Sequence, residues 1–206
     1  MDGVLEFREA NPAEIEGLYR LRYEVYCLEK GFLSREDYPD GLEKDQYDPR
    51  SVHFLVVDPD DHDHHDILGM LRLIRDSELG FPIERHFTLT RPIKNRIRTV
   101  ELSRLIVAKK ARRLSLHILM GLSKEVYHWA QEHNVEDFYA VLEDPLLRFL
   151  IRIGLPFSKV GEEAWYMGAV TIPAYLSIPE VENILQRNNA MFYAYLKEPR
   201  GAPLEI

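Results

Sequence analysis

Apolar and polar positions along the chain predict alternating strands and helices. Residues 4–9 alternate as a strand does, and apolar positions from Ile15 to Leu28 recur at helical spacing until Gly31. The pattern then predicts a hairpin (51–57 and 67–75), a strand (100–107), a helix (114–133), a strand (137–142), a helix (146–153), a last hairpin (157–160 and 164–171, turning at Gly161 and Glu162) and two helices (179–186 and 190–196). This order indicates an α+β fold with a single mixed sheet and helices on both faces.

The length of the chain suits one domain. With 206 residues, it is long enough for a substantial core without a second sheet. We expect residues 1–172 to form this domain and residues 173–206 to be a C-terminal helical extension packed on it. Gly69 lies inside a predicted strand, which indicates close approach of backbone or ligand.

The strand at 100–107 is apolar except for three polar residues. Strict alternation places Glu101 and Ser103 on one face and Arg104 on the other, beside Leu102. A glutamate and an arginine inside a core strand are costly unless they are paired or functional. We therefore expect this strand to carry the chemistry of the protein.

Partners for these charges occur elsewhere in the chain. The long connection at 32–50 is rich in Asp, Pro and Gly, and a connection of this length is usually functional or mobile. Together the candidates predict a buried ion-pair network, which either only supports the fold or lines a substrate pocket. Its members are Arg22, Asp45, Asp48, Arg72, Glu101 and Arg104.

A basic run, 109–113, separates the central strand from the next helix. It is interpreted either as a solvated charge run or as an anion site, and its position beside a helix favours the anion site. No glycine follows until Gly121, whereas a backbone cradle for a pyrophosphate normally needs glycine. The run would instead bind a phosphate through its Arg and Lys side chains, Arg112 and Arg113 among them.

Composition excludes several classes of protein. A net charge of −8 and a pI near 5.5 argue against nucleic-acid binding. The single cysteine, Cys27, is interpreted as a buried structural thiol in a reducing compartment. The chain shows no signal peptide and no apolar run long enough for an integral membrane segment, so we expect a cytoplasmic protein. The cluster His62-Asp63-His64-His65 is interpreted as a solvated turn, and no metal site is expected.

Ordered motifs over about residues 15–160 resemble a known family. The motifs are Arg22-x-x-Val25-Tyr26, Gly31-Phe32, Gly41-Leu42-Glu43-Lys44-Asp45-Gln46-Tyr47-Asp48, Gly69-x-x-Arg72-Leu73 and Val100-Glu101-x-Ser103-Arg104. They resemble the acyl-homoserine-lactone synthases, are more similar to the N-acyl amino acid synthases, and are most similar to the acyltransferases associated with PEP-CTERM/exosortase systems. Segments 21–32 and 37–43 carry the likeness to the last group.

The resemblance implies a GNAT-type acyltransferase fold, with a V-shaped opening of the sheet where the pantetheine of an acyl carrier enters. It implies a fatty acyl group on acyl carrier protein as donor, an amine as acceptor and no permanently bound cofactor. The residues matching the family's charged acceptor-side network are Arg22, Asp45, Asp48, Arg72, Glu101 and Arg104. Tyr26 and Phe32 stand where the lactone synthases usually have Phe and Trp, which favours an amino acid product.

The expected reaction is acyl transfer from a thioester to an α-amine. Glu101 would be the base, directly or through a water, or would only organise the network. Arg104 or Arg72 would hold the carboxylate of the acceptor beside Ser103, and Asp45 and Asp48 would fix these arginines. Backbone N–H groups of Leu105, Ile106 and Val107 would stabilise the oxyanion.

Two alternatives stay open at the level of sequence. One is a GNAT N-acyltransferase that uses acyl-coenzyme A as donor. The other is a non-catalytic module that binds lipid or an acyl carrier.

Overall fold

The computed structural model of the protein describes residues 5–59 and 66–201. Within these ranges the chain forms eight strands and six α-helices. The strands are β1 (Glu6–Glu9), β2 (Ser51–Val57), β3 (Ile67–Arg75), β4 (Thr99–Val107), β5 (Asp137–Leu142), β6 (Ser158–Lys159), β7 (Ala164–Tyr166) and β8 (Ala169–Ser177). The helices are α1 (Ile15–Tyr23), α2 (Pro82–His86), α3 (Ser115–Glu132), α4 (Asp144–Ile153), α5 (Ile178–Asn188) and α6 (Ala190–Lys197).

The strands form one mixed sheet in the order β1-β2-β3-β4-β5-β8-β6, and β7 pairs with β8. β4 and β5 are parallel, and every other pair is antiparallel. The predicted hairpin of β2 and β3 and the predicted strands β4 and β5 are confirmed.

Helices cover both faces of the sheet, as expected. Because side chains alternate along β2, successive residues pack on opposite faces of the sheet. Phe54 and Val56 pack with α3, α4, α5 and α6 in the main core, whereas Leu55 and Val57 pack against α1 on the other face. α2 packs on the α1 face, where Ile83 meets Ile74 of β3.

The first predicted helix changes its geometry before it ends. Asn11 Oδ1 accepts a hydrogen bond from the Ala13 N–H at 2.9 Å, and Glu14 accepts from the Asn11 N–H at 2.9 Å. α1 then passes into a π-helical turn at Glu24–Glu29, and Gly31 leaves the helix with φ +62°. Single π-helical turns of this kind often occur beside functional sites.

The last hairpin differs from its prediction. β6 and β7 each pair with β8 and not with each other, and the chain turns at Met167 and Gly168 instead of Gly161 and Glu162. Both turn residues have positive φ, +49° and +78°, as a two-residue hairpin turn requires. The sequence concealed this turn because methionine is not a usual turn residue.

The C-terminal segment continues the sheet before it becomes helical. β8 runs across the expected boundary at 172/173, so the helices of this segment begin at Ile178. Val181, Leu185, Phe192 and Leu196 of these helices belong to the main core.

Two further expectations concern single positions. A Cβ atom on Gly69 would lie 2.9 Å from the Ile106 carbonyl oxygen, which confirms the predicted close approach of backbone. Cys27 is buried with its thiol free, as expected. The cluster at 62–65 lies outside the described residues.

Candidate active site

Three arginines and three carboxylates meet in the interior between α1 and the sheet. Arg22 comes from the last turn of α1, Arg72 from β3 and Arg104 from β4. The long connection before β2 supplies Glu43, Asp45 and Asp48. The six formal charges cancel, which is how a protein tolerates so many buried ions.

Each arginine contacts at least two of the carboxylates. Arg22 is fully buried, donates to Glu43 through Nε and donates to Asp48 through Nη1 at 2.6 Å. Arg72 donates to Asp45 at 2.8 and 2.9 Å and to Asp48 at 2.6 Å, and its Nε donates to Ser103 Oγ at 2.9 Å. The predicted network therefore forms around these residues.

Arg104 joins this network because β4 contains a bulge. Arg72 pairs with Ser103 and Met70 pairs with Ile106, so β4 has one extra residue at this point, and Arg104 has φ +53°. The bulge turns Arg104 to the α1 side, where it donates to Glu43 at 2.9 and 3.1 Å and to Asp45 at 3.1 Å. The expectation that Arg104 lies on the opposite face, beside Leu102, is wrong.

Glu43 is a central residue of the network that lies within a family motif but was not among the predicted site residues. It is completely buried and is shared by Arg22 and Arg104. Burial alone would raise the pKa of Glu43, but the two arginines outweigh burial and lower the pKa to about 2. Asp45 behaves in the same way: burial is outweighed by Arg72 and Arg104, and its pKa is about 2. Both carboxylates are therefore ionised at neutral pH.

His53 of β2 was also missed. It is buried, and its Nε2 lies 3.7 Å from Asp48 Oδ1. Within the described part of the chain neither ring nitrogen has a hydrogen-bond partner. Burial lowers the pKa of His53 to about 4, so the ring is neutral behind the network at neutral pH.

Glu101 stands apart from the arginines. It is 3% exposed and accepts a hydrogen bond from the Ile83 N–H at 2.9 Å, and none of its contacts within residues 5–59 and 66–201 is an ion pair. Burial raises the pKa of Glu101 to about 8, despite the Ile83 N–H and the more distant charges of Arg72 and Arg104, which lower it. Five of the six candidates of the expected network are therefore in direct contact with one another. Glu101 is separate from them, and its raised pKa marks it as a candidate for acid–base chemistry.

β4 and β5 separate after Leu102, one residue beyond Glu101. Their parallel pairing extends from Thr99–Asp137 to Leu102–Ala140, whereas β4 continues to Val107 and β5 to Leu142. A cavity of about 530 Å³ occupies this opening and connects the two faces of the sheet. Strand separation therefore creates a cavity beside Glu101, where a V-shaped opening of the sheet was expected.

The α1-side arm of the cavity is polar. Asp45, Arg72, Ser103 and Arg104 line it, while Arg22, Glu43 and Asp48 lie behind this wall. Tyr166 also lines this arm, and burial raises its pKa to about 12, so its hydroxyl is protonated at neutral pH. The charged groups that meet the cavity are thus supported by a second layer of fixed charges.

The other arm of the cavity is apolar and passes between the sheet and the C-terminal helices. β4 contributes Leu105 to Val107 at the opening. Along the arm lie residues of α3, α4, α5, α6 and the segments around them: Leu119, Ser123, Val126, Tyr127, Leu146, Leu150, Leu155, Phe157, Val181 and Leu196. Such an arm suits a hydrocarbon chain.

The basic run lies at the mouth of the cavity. Residues Lys109–Leu114 form a 3-10 helix that leads directly into α3. Arg112 lines the cavity and pairs with Glu29, whereas Arg113 is exposed and is not part of the lining. The two arginines therefore have different surroundings.

Comparison with known proteins agrees with this geometry. Residues 21–121 match the Acetyltransferase (GNAT) domain family. The acyl-homoserine-lactone synthase of Aliivibrio fischeri strain ATCC 700601 / ES114 is 28% identical over 173 residues, which cover 81% of this chain and 86% of that protein. The synthase of Aeromonas hydrophila is also 28% identical, over 76% of this chain and 77% of its own length. The chain thus contains a region that matches the GNAT acetyltransferase family, and it is related to the acyl-homoserine-lactone synthases.

Solved structures of synthases share the fold of this chain. BjaI, a CoA-dependent acyl-homoserine lactone synthase solved with SAM and isopentyl-CoA, superposes with a TM-score of 0.68 at 20% identity, over 89% of this chain and 88% of that one. FeeM, an N-acyl amino acid synthase from uncultured soil microbes, gives a TM-score of 0.62 at 16% identity, over 87% and 94% of the two chains. The predicted GNAT-type fold is confirmed.

Two further properties of the described residues concern metal ions and membranes. Among residues 5–59 and 66–201, no three His, Cys, Asp or Glu side chains are placed to hold a metal ion. No helix in these same ranges is long and apolar enough to cross a membrane.

Proposed function

We propose that the protein transfers a fatty acyl group from the phosphopantetheine thioester of acyl carrier protein to the α-amine of an amino acid or an amino-acid-derived acceptor. The observation that carries this proposal is the position of Glu101. A buried carboxyl with a pKa near 8 lies at the junction between a charged pocket and an apolar arm. This is where an amine acceptor and a thioester would meet.

The polar arm is the acceptor side. Arg72 already donates from all three of its nitrogens, to Asp45, Asp48 and Ser103. Arg104 lines the cavity and has an N–H group, on Nη1, that contacts no oxygen atom of the described residues. Arg104 is therefore the arginine that binds the carboxylate of the acceptor, and Arg72 with Asp45 and Asp48 holds the pocket in shape.

Glu101 acts as the base. It removes one proton from the α-amine, directly or through a water, as the nitrogen attacks the thioester carbon. N–H groups of Leu105 to Val107 stabilise the oxyanion at the strand opening. When the tetrahedral intermediate collapses, the carbon–sulfur bond breaks and the thiolate leaves with its electron pair, taking up a proton. No covalent enzyme intermediate is needed.

The donor enters from the basic mouth. Arg112, which lines the cavity, contacts the phosphate of the pantetheine arm, with the exposed Arg113 beside it. The acyl chain lies in the apolar arm under α5 and α6. The absence of glycine from 109–113 supports carrier protein as donor, since its arm has a single phosphate.

Acyl-coenzyme A is the second candidate donor, and the likeness to the CoA-dependent synthase BjaI favours it. A non-catalytic acyl-carrier binding module is the alternative in which Glu101 has no chemical role. These possibilities predict different products, so one experiment separates them.

The purified protein is incubated with acyl carrier protein or coenzyme A bearing the same acyl chain and with a panel of amino acids. Products are identified by mass spectrometry. We expect N-acyl products from the carrier-bound donor and a loss of turnover by orders of magnitude in Glu101→Gln. Products from coenzyme A alone would overturn the choice of donor. Carrier binding without any product would overturn the assignment as an enzyme for these acceptors, and near-normal turnover of Glu101→Gln would remove Glu101 from the role of base.

A further inference from the structure

The turn between β7 and β8 is seated over the charged pocket. Its two residues, Met167 and Gly168, have positive φ, and a Cβ atom on Gly168 would lie 2.5 Å from the Cα atom of Phe32. The turn therefore rests directly on the backbone of the long connection that supplies the carboxylates. The outer face of the same hairpin is open to solvent, since Trp165 is 74% and Val170 51% exposed.

Met167 contacts Nη1 of Arg104, the guanidinium nitrogen that donates to no carboxylate of the network. Arg104 donates to Glu43 and Asp45 through Nε and Nη2, but its Nη1 donates to the Met167 Sδ atom at 3.1 Å. A thioether sulfur is a weak acceptor, whereas an arginine N–H normally binds oxygen. Both residues line the cavity. A strong donor is thus held by a weak and replaceable partner inside the pocket.

The surroundings of this contact are fixed. The Arg104 guanidinium lies 5.5 Å from the centre of the Tyr26 ring, which stacks on Phe32 with centroids 6.4 Å apart. The Phe32 backbone in turn supports Gly168. Arg104 cannot easily turn away, so an incoming anion must meet it where Met167 now lies.

We propose that Met167 is an acceptor-specificity residue, which holds the carboxylate position on Arg104 and is displaced only by an acceptor with a free carboxylate. This inference rests on the proposed function. A carboxylate gains a charge-assisted hydrogen bond that exceeds the lost sulfur contact, while a neutral amide or ester gains much less. The hairpin turn thereby disfavours amines that lack the carboxylate.

Met167→Glu tests this inference, with Met167→Gln as the matched control. Both side chains have the same length and meet the same backbone strain, but only glutamate brings a carboxylate to Nη1. We expect the KM for the acceptor to be about tenfold or more higher in Met167→Glu than in Met167→Gln, because the acceptor must compete with a built-in charged partner. The KM for the acyl donor should be the same in both variants.

Equal acceptor KM values in the two variants would overturn the inference. A parallel rise in the donor KM would indicate a general distortion and would also overturn it. If Met167→Glu does not fold, Met167→Ala replaces it: the acceptor KM should fall while the donor KM is unchanged, and an unchanged acceptor KM contradicts the proposal. The proposed function fails separately, if the wild-type protein forms no N-acyl product at all.

Discussion

Glu101 is a carboxylic acid that the fold keeps largely neutral. Its burial between β3 and β5 disfavours the charged form, and a single backbone N–H compensates only in part. A base with a pKa near 8 is a stronger proton acceptor than an exposed glutamate, and it is still partly ionised at neutral pH. The same burial also makes the residue a cost to folding when it ionises.

The rate of acyl transfer should rise with pH. Because only ionised Glu101 can accept a proton, kcat at saturating donor and acceptor should increase about tenfold per pH unit well below pH 8 and become constant above it. Initial rates across this range, measured by product formation, give the profile. A flat profile would contradict the role of Glu101 as base.

Glu101→Gln should stabilise the protein. The folded-state pKa is raised from 4.5 to about 8, so folding favours the protonated form, and that stability is present below pH 4.5 and lost as the pH rises through about 8. Glutamine avoids this loss and can still accept from the Ile83 N–H. We expect a gain of about 3 kcal/mol in the free energy of unfolding at pH 7. Urea titrations at several pH values check it, and the gain should shrink toward pH 4.5.

Glu43→Gln should have the opposite effect. It leaves Arg22 and Arg104 without a shared counter-charge in a buried site, which costs about 3 kcal/mol in the free energy of unfolding. The folded-state pKa near 2 lies below the ordinary 4.5, so the stability from Glu43 is present above pH 4.5 and lost as the pH falls through about 2.

The control for Glu43 is Glu36→Gln, on the same connection but exposed. It removes one negative charge without touching the network, and we expect a change within about 0.5 kcal/mol. Equal losses in the two variants would show that the network does not stabilise the fold.

At the scale of elements, α3 gives the apolar arm its length. Ser115, Leu119, Ser123 and Tyr127 line the cavity at intervals of four residues, so they form one stripe on the helix. From Ser115 to Tyr127 the helix rises by about 18 Å. Ser123 is a small residue between Leu119 and Tyr127 in this stripe. Its hydroxyl donates a hydrogen bond to the Leu119 carbonyl at 2.7 Å.

Ser123→Phe should shorten the preferred acyl chain. The ring would fill the arm between Leu119 and Tyr127, so long-chain donors should lose more kcat/KM than short-chain donors. Ser123→Ala, which adds no volume, is the comparison. The measurement is a series of saturated acyl donors of increasing length. Identical length profiles for the two variants would mean that the chain does not lie along α3.

Two elements show where sequence patterns mislead. Alternation along 100–107 predicted the wrong face for Arg104, because a bulge is set by the pairing of β4 with β3 and leaves no mark in hydrophobicity. The last hairpin was assigned to Gly161 because glycine usually marks a turn, whereas the chain turns at Met167 and Gly168, and Gly168 packs against the Phe32 backbone.

At the scale of the whole molecule, charge is distributed unevenly. The protein has a net charge of −8, yet Lys109, Lys110, Arg112 and Arg113 are all exposed in one short run. Within this run Arg112 lines the cavity, Lys110 pairs with Asp66 and Arg112 pairs with Glu29. A local basic surface on an acidic protein can steer an acidic partner to a single place. This favours docking of a carrier protein at the mouth.

Arg113→Glu should weaken the use of acyl carrier protein. We expect the KM for the carrier-bound donor to rise several-fold at low salt, with a smaller effect at high salt, because exposed charges are screened. Arg187→Glu makes the same charge change on an exposed residue of α5 outside the cavity lining and serves as the control. If both reversals act equally, the effect reflects net charge and the docking surface lies elsewhere.

The sequence by itself determined most of the strands and helices and most charged residues of the site. Periodicity reports which side of an element is buried, and charges in core strands such as Arg72 stand out because they are costly. The tertiary structure decided how these groups meet. It brought Glu43 between Arg22 and Arg104, separated Glu101 from the arginines and opened β4 from β5. These features depend on strand register and on contacts between distant segments, which a pattern of single positions does not contain.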